Sequence, residues 1–402
     1  MDPRSQRMLL VVLIMVLTIL LCKDFGESGT VRRLTQHAAS FAGRKANEAS
    51  QHTAFEPANA TLGVSDFKTQ SGVQLLANTV AVQFGAVIAV SRQQSPRRDG
   101  LLLAANITEI DISIPTQPVW TPEDISNLHA EHVSTITRGS ALAWLGHLNA
   151  LRAFLGSSAS TALIIEDDVD WDIHLRTTQI PATASAFRSL TSNFSPYSLD
   201  ADNYWGNTSA WDILWLGTCN EYFLPNALRH PSLTYTDSTL PPLDKLDPRT
   251  AEFFATFNIP SHTRLLHPTV FPLCTFGYAL TRPAAHRLLN EIAAREAEGG
   301  TMAYDVRVLE ACRDLGMRCW SVAPELMRHL DAKSEIESVD KGKEDQNGGS
   351  NEGSNTGLMA HTANIDCGVR SHEAFFTKDP ERLEYLQEVV GRQGRCLPHE
   401  NS

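Results

Sequence analysis

The densest chemical group in the sequence is Ile164-Ile165-Glu166-Asp167-Asp168-Val169-Asp170. Its four carboxylates follow an apolar run, Thr161 to Ile165, that reads as a buried strand. In open α/β sheets, ligands bind beyond the carboxyl ends of the strands, which is where these acids would fall. Neighbouring carboxylates repel one another, so holding them ionised needs solvent or a cation. Their hard oxygens suit Mg²⁺ or Mn²⁺. Such a metal can bridge a diphosphate and neutralise the charge that builds on it as a leaving group. The plainer alternative is a solvated acidic loop after a strand.

Several elements must position that group. Ala86 to Val90 is a short apolar run ending in polar residues, a second buried strand. Ile107, Ile110, Ile112 and Ile114 alternate in their second half and point to another strand. Thr121-Pro122-Glu123-Asp124 is a helix start, with Thr as cap and Pro in the first turn. Leu145, Leu148, Leu151 and Leu155 recur at helical spacing and predict a helix over Ser140 to Leu155. Further strands are expected at Asp212 to Gly217 and Met317 to Val322. Helices are expected at Pro283 to Glu298 and at Tyr304 to Leu315, the last stopped by Gly316. Strands alternating with helices mean an α/β fold with a mainly parallel sheet. Lys333 to Asn355 is acidic, rich in Gly, Ser and Asn, and short of large hydrophobes, so it reads as a flexible loop.

Hydrophobic residues make up 42% of the 402 and charged residues 20%, the composition of a globular protein with a substantial core. A net charge of −12 argues against a protein that grips nucleic acid, because phosphate neutralisation needs a basic field. Met8 to Cys22 is apolar apart from Thr18 and follows Arg4 and Arg7. At about 22 Å as a helix it is short for a hydrocarbon core of roughly 30 Å. It has no good cleavage site, and a polar stem follows, so it reads as a signal-anchor, with a cleaved signal peptide as the alternative. The basic residues in front put residues 1–7 in the cytosol and the rest in the lumen, a single-pass type II arrangement in the ER or Golgi. Residues 23–80 form the stem, with Val64 to Gln83 an apparent insertion, and residues 81–396 form the catalytic domain. Sequons begin at Asn59, Asn106, Asn193 and Asn207, as a luminal chain permits. Beyond Cys22 six cysteines remain. They either pair in an oxidising lumen or serve as small buried hydrophobes, and Cys312 and Cys319, flanking the Gly316 turn, are the nearest local pair.

Five segments stand out in order: Gly139 to His147 followed by Ala162 to Asp172; Trp211 to Gly217; Thr275 to Ala285; Ala303 to Val306; and Asn364 to Arg370. Together they resemble glycosyltransferase family 25, the lipopolysaccharide and procollagen galactosyltransferases, and are most similar to its fungal members. The resemblance implies a GT-A-like nucleotide-sugar-binding fold. It implies a metal motif at Glu166-Asp167-Asp168, with Asp168 touching Mn²⁺ (or Mg²⁺) and the other two acids as direct or water-mediated partners. It implies a UDP-sugar donor, a glycan or glycoprotein acceptor, and transfer of a hexose, galactose foremost, with inversion. Inversion needs a base for the acceptor hydroxyl, and Asp305 matches a family Asp; as a bare residue it is equally a helix N-terminal acid. Arg97 and Arg98 would neutralise donor phosphates, the alternative being a solvated charge run. His147 and Asn149 would support the nucleotide site, and Gly277 and Tyr278 would wall the donor or acceptor pocket, with Trp215 beside them or in the core. His329 and His361 are candidates for a further metal ligand. The segment Ser91 to Asp99 departs from the family's leucine-proline pattern.

Two other functions remain open on the residues alone. A metal-dependent phosphohydrolase would use the same acids, but no second cluster of His and Asp ligands is visible for a two-metal site. A non-catalytic, transferase-like luminal binding protein would have no need of the charge-dense strand end.

Overall fold

The computed structural model describes residues 84–191, 204–219, 232–269, 271–330, 335–340 and 362–398. The expected anchor, the stem, the Val64 to Gln83 insertion, Asn59, Asn193, His361 and most of the acidic loop lie outside them. No described helix is long and apolar enough to cross a membrane.

The fold is α/β, built on a seven-stranded sheet. In chain order its strands are β1 (Ala86–Val90), β2 (Thr161–Glu166), β4 (Ile213–Gly217), β5 (Leu233–Thr236), β6 (Thr263–Pro268), β7 (Gly277–Thr281) and β8 (Cys319–Ala323). They lie in the order β1-β2-β7-β4-β8-β6-β5. The expected mainly parallel sheet is in fact mixed. Only β1–β2 and β4–β8 pair in parallel, because β7 enters antiparallel between β2 and β4 and β6 runs against β8 and β5. A separate ribbon pairs β3 (Val169–Trp171) with β9 (Met327–His329), antiparallel.

The strand alternation sorts side chains into two cores. Leu163, Ile165, Leu214, Leu216 and Ala279 face one side, and Ala162, Ile164, Ile213, Trp215, Tyr278 and Leu280 the other. The first core is closed by α1 (Arg98–Ile107), α4 (Ile180–Thr191) and α9 (Pro380–Leu386). The second is closed by α3 (Arg138–Gly156), α6 (Arg282–Arg287) and α7 (Tyr304–Arg313). Each fully buried aliphatic side chain in such a core contributes about 1.5–3 kcal/mol. A third, smaller cluster forms around α5 (Pro248–Phe257).

The helix starts follow the sequence signals. In α2 (Pro122–Leu128), Thr121 and Asp124 form a reciprocal capping box. Thr137 caps α3 through the Ser140 amide. Helix α7 is followed by Gly316 at φ +74°, a left-handed turn that glycine adopts without strain.

Three further expectations change. The isoleucine segment after α1 is not a strand; Ser113 makes a single parallel bridge to Ile88, and Pro115 lacks the N–H to extend it. The helix expected through Glu298 ends near Ile292, because Glu296 turns inward and accepts the N–H groups of Ala130 and Thr301. The acidic loop is not without structure. Its described part is α8 (Glu335–Asp340), where Glu335 pairs with Arg92 at 2.8 Å and Asp340 accepts the Gly139 N–H at the start of α3. Those acids complement an Arg side chain and a helix N-terminus, which composition alone does not reveal.

Candidate functional site

The carboxylates stand where β2 ends and β3 begins. Asp167 accepts a hydrogen bond from Ser91, just beyond β1, at 2.7 Å. Arg97, which precedes α1, places a guanidinium nitrogen 2.8 Å from Asp168 and 3.6 Å from Asp167. The second Asp168 oxygen, Oδ1, is buried and has no hydrogen-bond partner among the described residues. Glu166 lies at the rim, its side chain one-third exposed, and accepts from Thr275 at 2.9 Å.

The electrostatics divide the three acids. Burial opposes ionisation of Glu166, but His147 and Thr275 outweigh it and hold its pKa below the usual range. Burial pushes Asp168 up to about 6; the charges of Glu166 and Asp167 add to this and that of Arg97 opposes it. Asp168 is therefore the group that gains most from another cation.

Beneath this surface, Arg370 ties the turn together. Its guanidinium, driven below its usual pKa by burial, donates to the carbonyls of Asp167 and Val169 at 2.7 and 2.8 Å and to that of Arg97 at 3.2 Å. Its own N–H donates to Asp170, which also accepts from Thr362 and Trp171. Asp170 is fully buried, and burial raises its pKa against these bonds. Gly368 is required here, since a Cβ would strike the Ser371 hydroxyl and the Asp170 carboxylate.

His147, on α3, stands behind Glu166. Its Nε2 is 3.4 Å from the Glu166 carboxylate and 3.3 Å from the Thr275 hydroxyl; its Nδ1 is 3.2 Å from the Tyr278 hydroxyl. The Tyr278 hydroxyl is 3.2 Å from that of Tyr304, and the Tyr304 ring stacks on His147 with centroids 4.5 Å apart. Asp305 follows Tyr304 in the first turn of α7. Its two oxygens accept the N–H groups of Cys274, at 3.1 Å, and Val306, at 2.8 Å. Burial raises its pKa, and the Glu166 charge adds to the rise.

The structure thus brings Glu166, Asp167, Asp168, Arg97, His147 and Asp305 into one neighbourhood. It does not bring Arg98, whose side chain bonds back to Gln93 at the surface. Asn149 turns the other way, to Thr116 and Gln117. Gly277 and Tyr278 are not pocket walls: both are buried in β7, and Tyr278 reaches the site only through its hydroxyl. Trp215 is core, its indole donating to the Cys274 carbonyl. His329 bonds through Nδ1 to the Leu330 carbonyl and packs edge-on against Phe276, near enough to bear electrostatically on Glu166 and Asp168. Sequence reading missed Ser91, Thr275 and Tyr304, and gave Arg370 no role, although Thr275, Tyr304 and Arg370 all lie in segments it singled out.

All six cysteines beyond Cys22 are paired: Cys219–Cys274, Cys312–Cys319 and Cys367–Cys396. The expected local pair at Cys312 and Cys319 is among them.

Among the described residues, no group of three or more His, Cys, Asp or Glu side chains is arranged to hold a metal ion. Asp167 and Glu166 are already engaged by Ser91 and Thr275, which leaves the free Asp168 oxygen as the principal hard donor. That oxygen fits a divalent cation that takes its remaining ligands from water or a bound ligand. No family model matches the chain, and no curated protein matches it.

Proposed function

We propose that this chain is a GT-A-like, metal-dependent hexosyltransferase of the family 25 type. It moves a hexose, galactose foremost, from a UDP-sugar to a glycan or glycoprotein acceptor in the lumen of the secretory pathway. The observation that carries the reading is Asp168: a buried carboxylate oxygen with no hydrogen-bond partner among the described residues, at the carboxyl end of a central strand, with a pKa raised to about 6. Asp168, with Glu166 and Asp167 directly or through water, would hold Mn²⁺ or Mg²⁺. When bound, the metal supplies charge neutralisation at the departing diphosphate.

The chain's own residues supply the rest. Arg97 holds positive charge beside the carboxylates, where a donor phosphate would be attracted. Asp305, made more basic by burial, would take the acceptor hydroxyl's proton as the base. His147 and Thr275 keep Glu166 ionised and fixed at the rim. Three disulfides accord with an oxidising lumen and with the type II anchor read at residues 8–22.

The test is a screen of UDP- and GDP-sugars with Mn²⁺, read by nucleotide release, on the parent protein and on Asp168→Asn. Release from a UDP-hexose that is lost with chelator and with Asp168→Asn is expected. Turnover indifferent to both would refute the assignment, and hydrolysis of simple phosphate esters would replace it with a phosphohydrolase.

A further inference from the structure

We propose that Cys274, held by its disulfide to Cys219, is a positioning residue that sets the candidate base Asp305 and the rim carboxylate Glu166 in register with each other. The proposal rests on the transferase reading above for its catalytic consequence, but not for its geometry.

Strands β4 and β7 pair from Ile213↔Leu280 to a bulge at Trp215–Gly217, where Gly217 meets Gly277. Beyond the bulge the ladder is lost, yet the chains stay together. The Cys219 N–H donates to the Leu273 carbonyl at 3.1 Å, and Cys219 is bonded to Cys274. The Cys274 carbonyl in turn accepts the Trp215 indole N–H at 3.2 Å. The disulfide thus staples the open end of a strand pair that no longer has a ladder to hold it.

The stapled tripeptide serves both acids. The Cys274 N–H donates to Asp305, the Thr275 hydroxyl donates to Glu166, and the Phe276 carbonyl accepts the Glu166 N–H at 3.2 Å. One short segment therefore carries contacts to α7 on one side and to the end of β2 on the other. Cys274 adopts φ +66°, a left-handed conformation that a non-glycine residue keeps only when its surroundings over-determine it. Here the disulfide, the indole and the Asp305 carboxylate do so together. In that conformation its N–H meets Asp305, and the cross-link is one of the three restraints that hold it there.

Neither of the other two disulfides has this placement. Cys312–Cys319 joins the last turn of α7 to the start of β8, and Cys367–Cys396 closes the C-terminal segment. Cys312–Cys319 is therefore the control.

The experiment compares the parent, Cys219→Ser with Cys274→Ser, Cys312→Ser with Cys319→Ser, and Asp305→Asn. Two readouts are taken: steady-state transfer from a UDP-hexose with Mn²⁺, and backbone amide hydrogen exchange at position 274. The first cysteine variant is expected to lose kcat by about 10- to 100-fold with donor KM within about twofold, as misplacement of a reacting group does. The control pair is expected to keep kcat. The amide at position 274 is expected to lose protection in the first cysteine variant and in Asp305→Asn. Unchanged exchange at position 274 in a folded first variant would overturn the positioning role whatever the turnover, and so would unchanged kcat. Absence of turnover in the parent with every donor would sink the transferase reading alone, leaving the exchange result to decide this one. If the double variant does not fold, the folded parent is treated with a dithiol, which takes up the oxidation as it converts the pair to two thiols. Opening of Cys219–Cys274, followed by alkylation and peptide mapping, must then coincide with loss of protection; opening without that loss refutes the proposal.

Discussion

Replacing Asp168 by Asn is expected to abolish metal-dependent turnover and, at the same time, to stabilise the fold. Burial and the charges of Glu166 and Asp167 hold the folded-state pKa of Asp168 at about 6, against 3.8 without them, even with Arg97 opposing. Ionised Asp168 therefore works against folding. Below about pH 4 the group is protonated in both states and has no effect. As pH rises from about 4 to about 6 the unfolded chain releases its proton first, and stability falls; above about 6 the loss is complete. A gap of about two pH units at about 1.4 kcal/mol each amounts to about 3 kcal/mol at pH 7. Asn keeps the shape and removes the charge, so Asp168→Asn should recover most of that, a gain of about 5–10 °C in Tm for a domain of this size. The assay is thermal unfolding followed by circular dichroism, with chelator present, at half-unit steps from pH 4 to 7.5. The gain should be large at pH 7 and vanish near pH 4. A variant no more stable than the parent at pH 7, or equally stabilised at pH 4, would refute the reasoning.

Two other perturbations follow from the same geometry. Arg370→Ala removes a buried cation that donates to three carbonyls among buried carboxylates, and should cost about 3–5 kcal/mol in urea unfolding at pH 7. Burial lowers the pKa of His174, but its 2.7 Å contact with Asp172 and a bond to Gly394 outweigh this and raise it above 6.5. The stability it supplies is therefore full below pH 6.5 and lost as pH rises through the raised value, so the deficit of His174→Ala in urea midpoint should be larger at pH 6 than at pH 9.

The sequence made some of this plain and could not make the rest so. The buried strand ending in Glu166, the capped start at Thr121 and the Gly316 stop depend on neighbours a few residues away, and local pattern reveals them. The antiparallel entry of β7 does not, because Gly277 to Thr281 reads the same in either direction; only its partners β2 and β4 determine which way it runs. The acids were visible as a group, but their different characters were not. Those come from Ser91, Arg97, His147 and Thr275, which reach the same place from three separate segments. The family resemblance implied that Tyr278 walls a pocket. Its register opposite Ile164 puts it in the core instead.

Arg370 and Asp170 are 200 residues apart in the chain, and their contact underpins the turn that carries Asp167 and Asp168. A ribosome adding about 5–20 residues per second needs some 10–40 s to travel from one to the other. During that interval the acids at the end of β2 have emerged without the guanidinium that organises them. A nascent chain halted before residue 370 would thus carry the whole acidic motif without the guanidinium that ties its turn together. Termination before residue 370 should therefore yield products in which the Asp167 and Val169 carbonyls lack their guanidinium partner, however much of the sheet they retain.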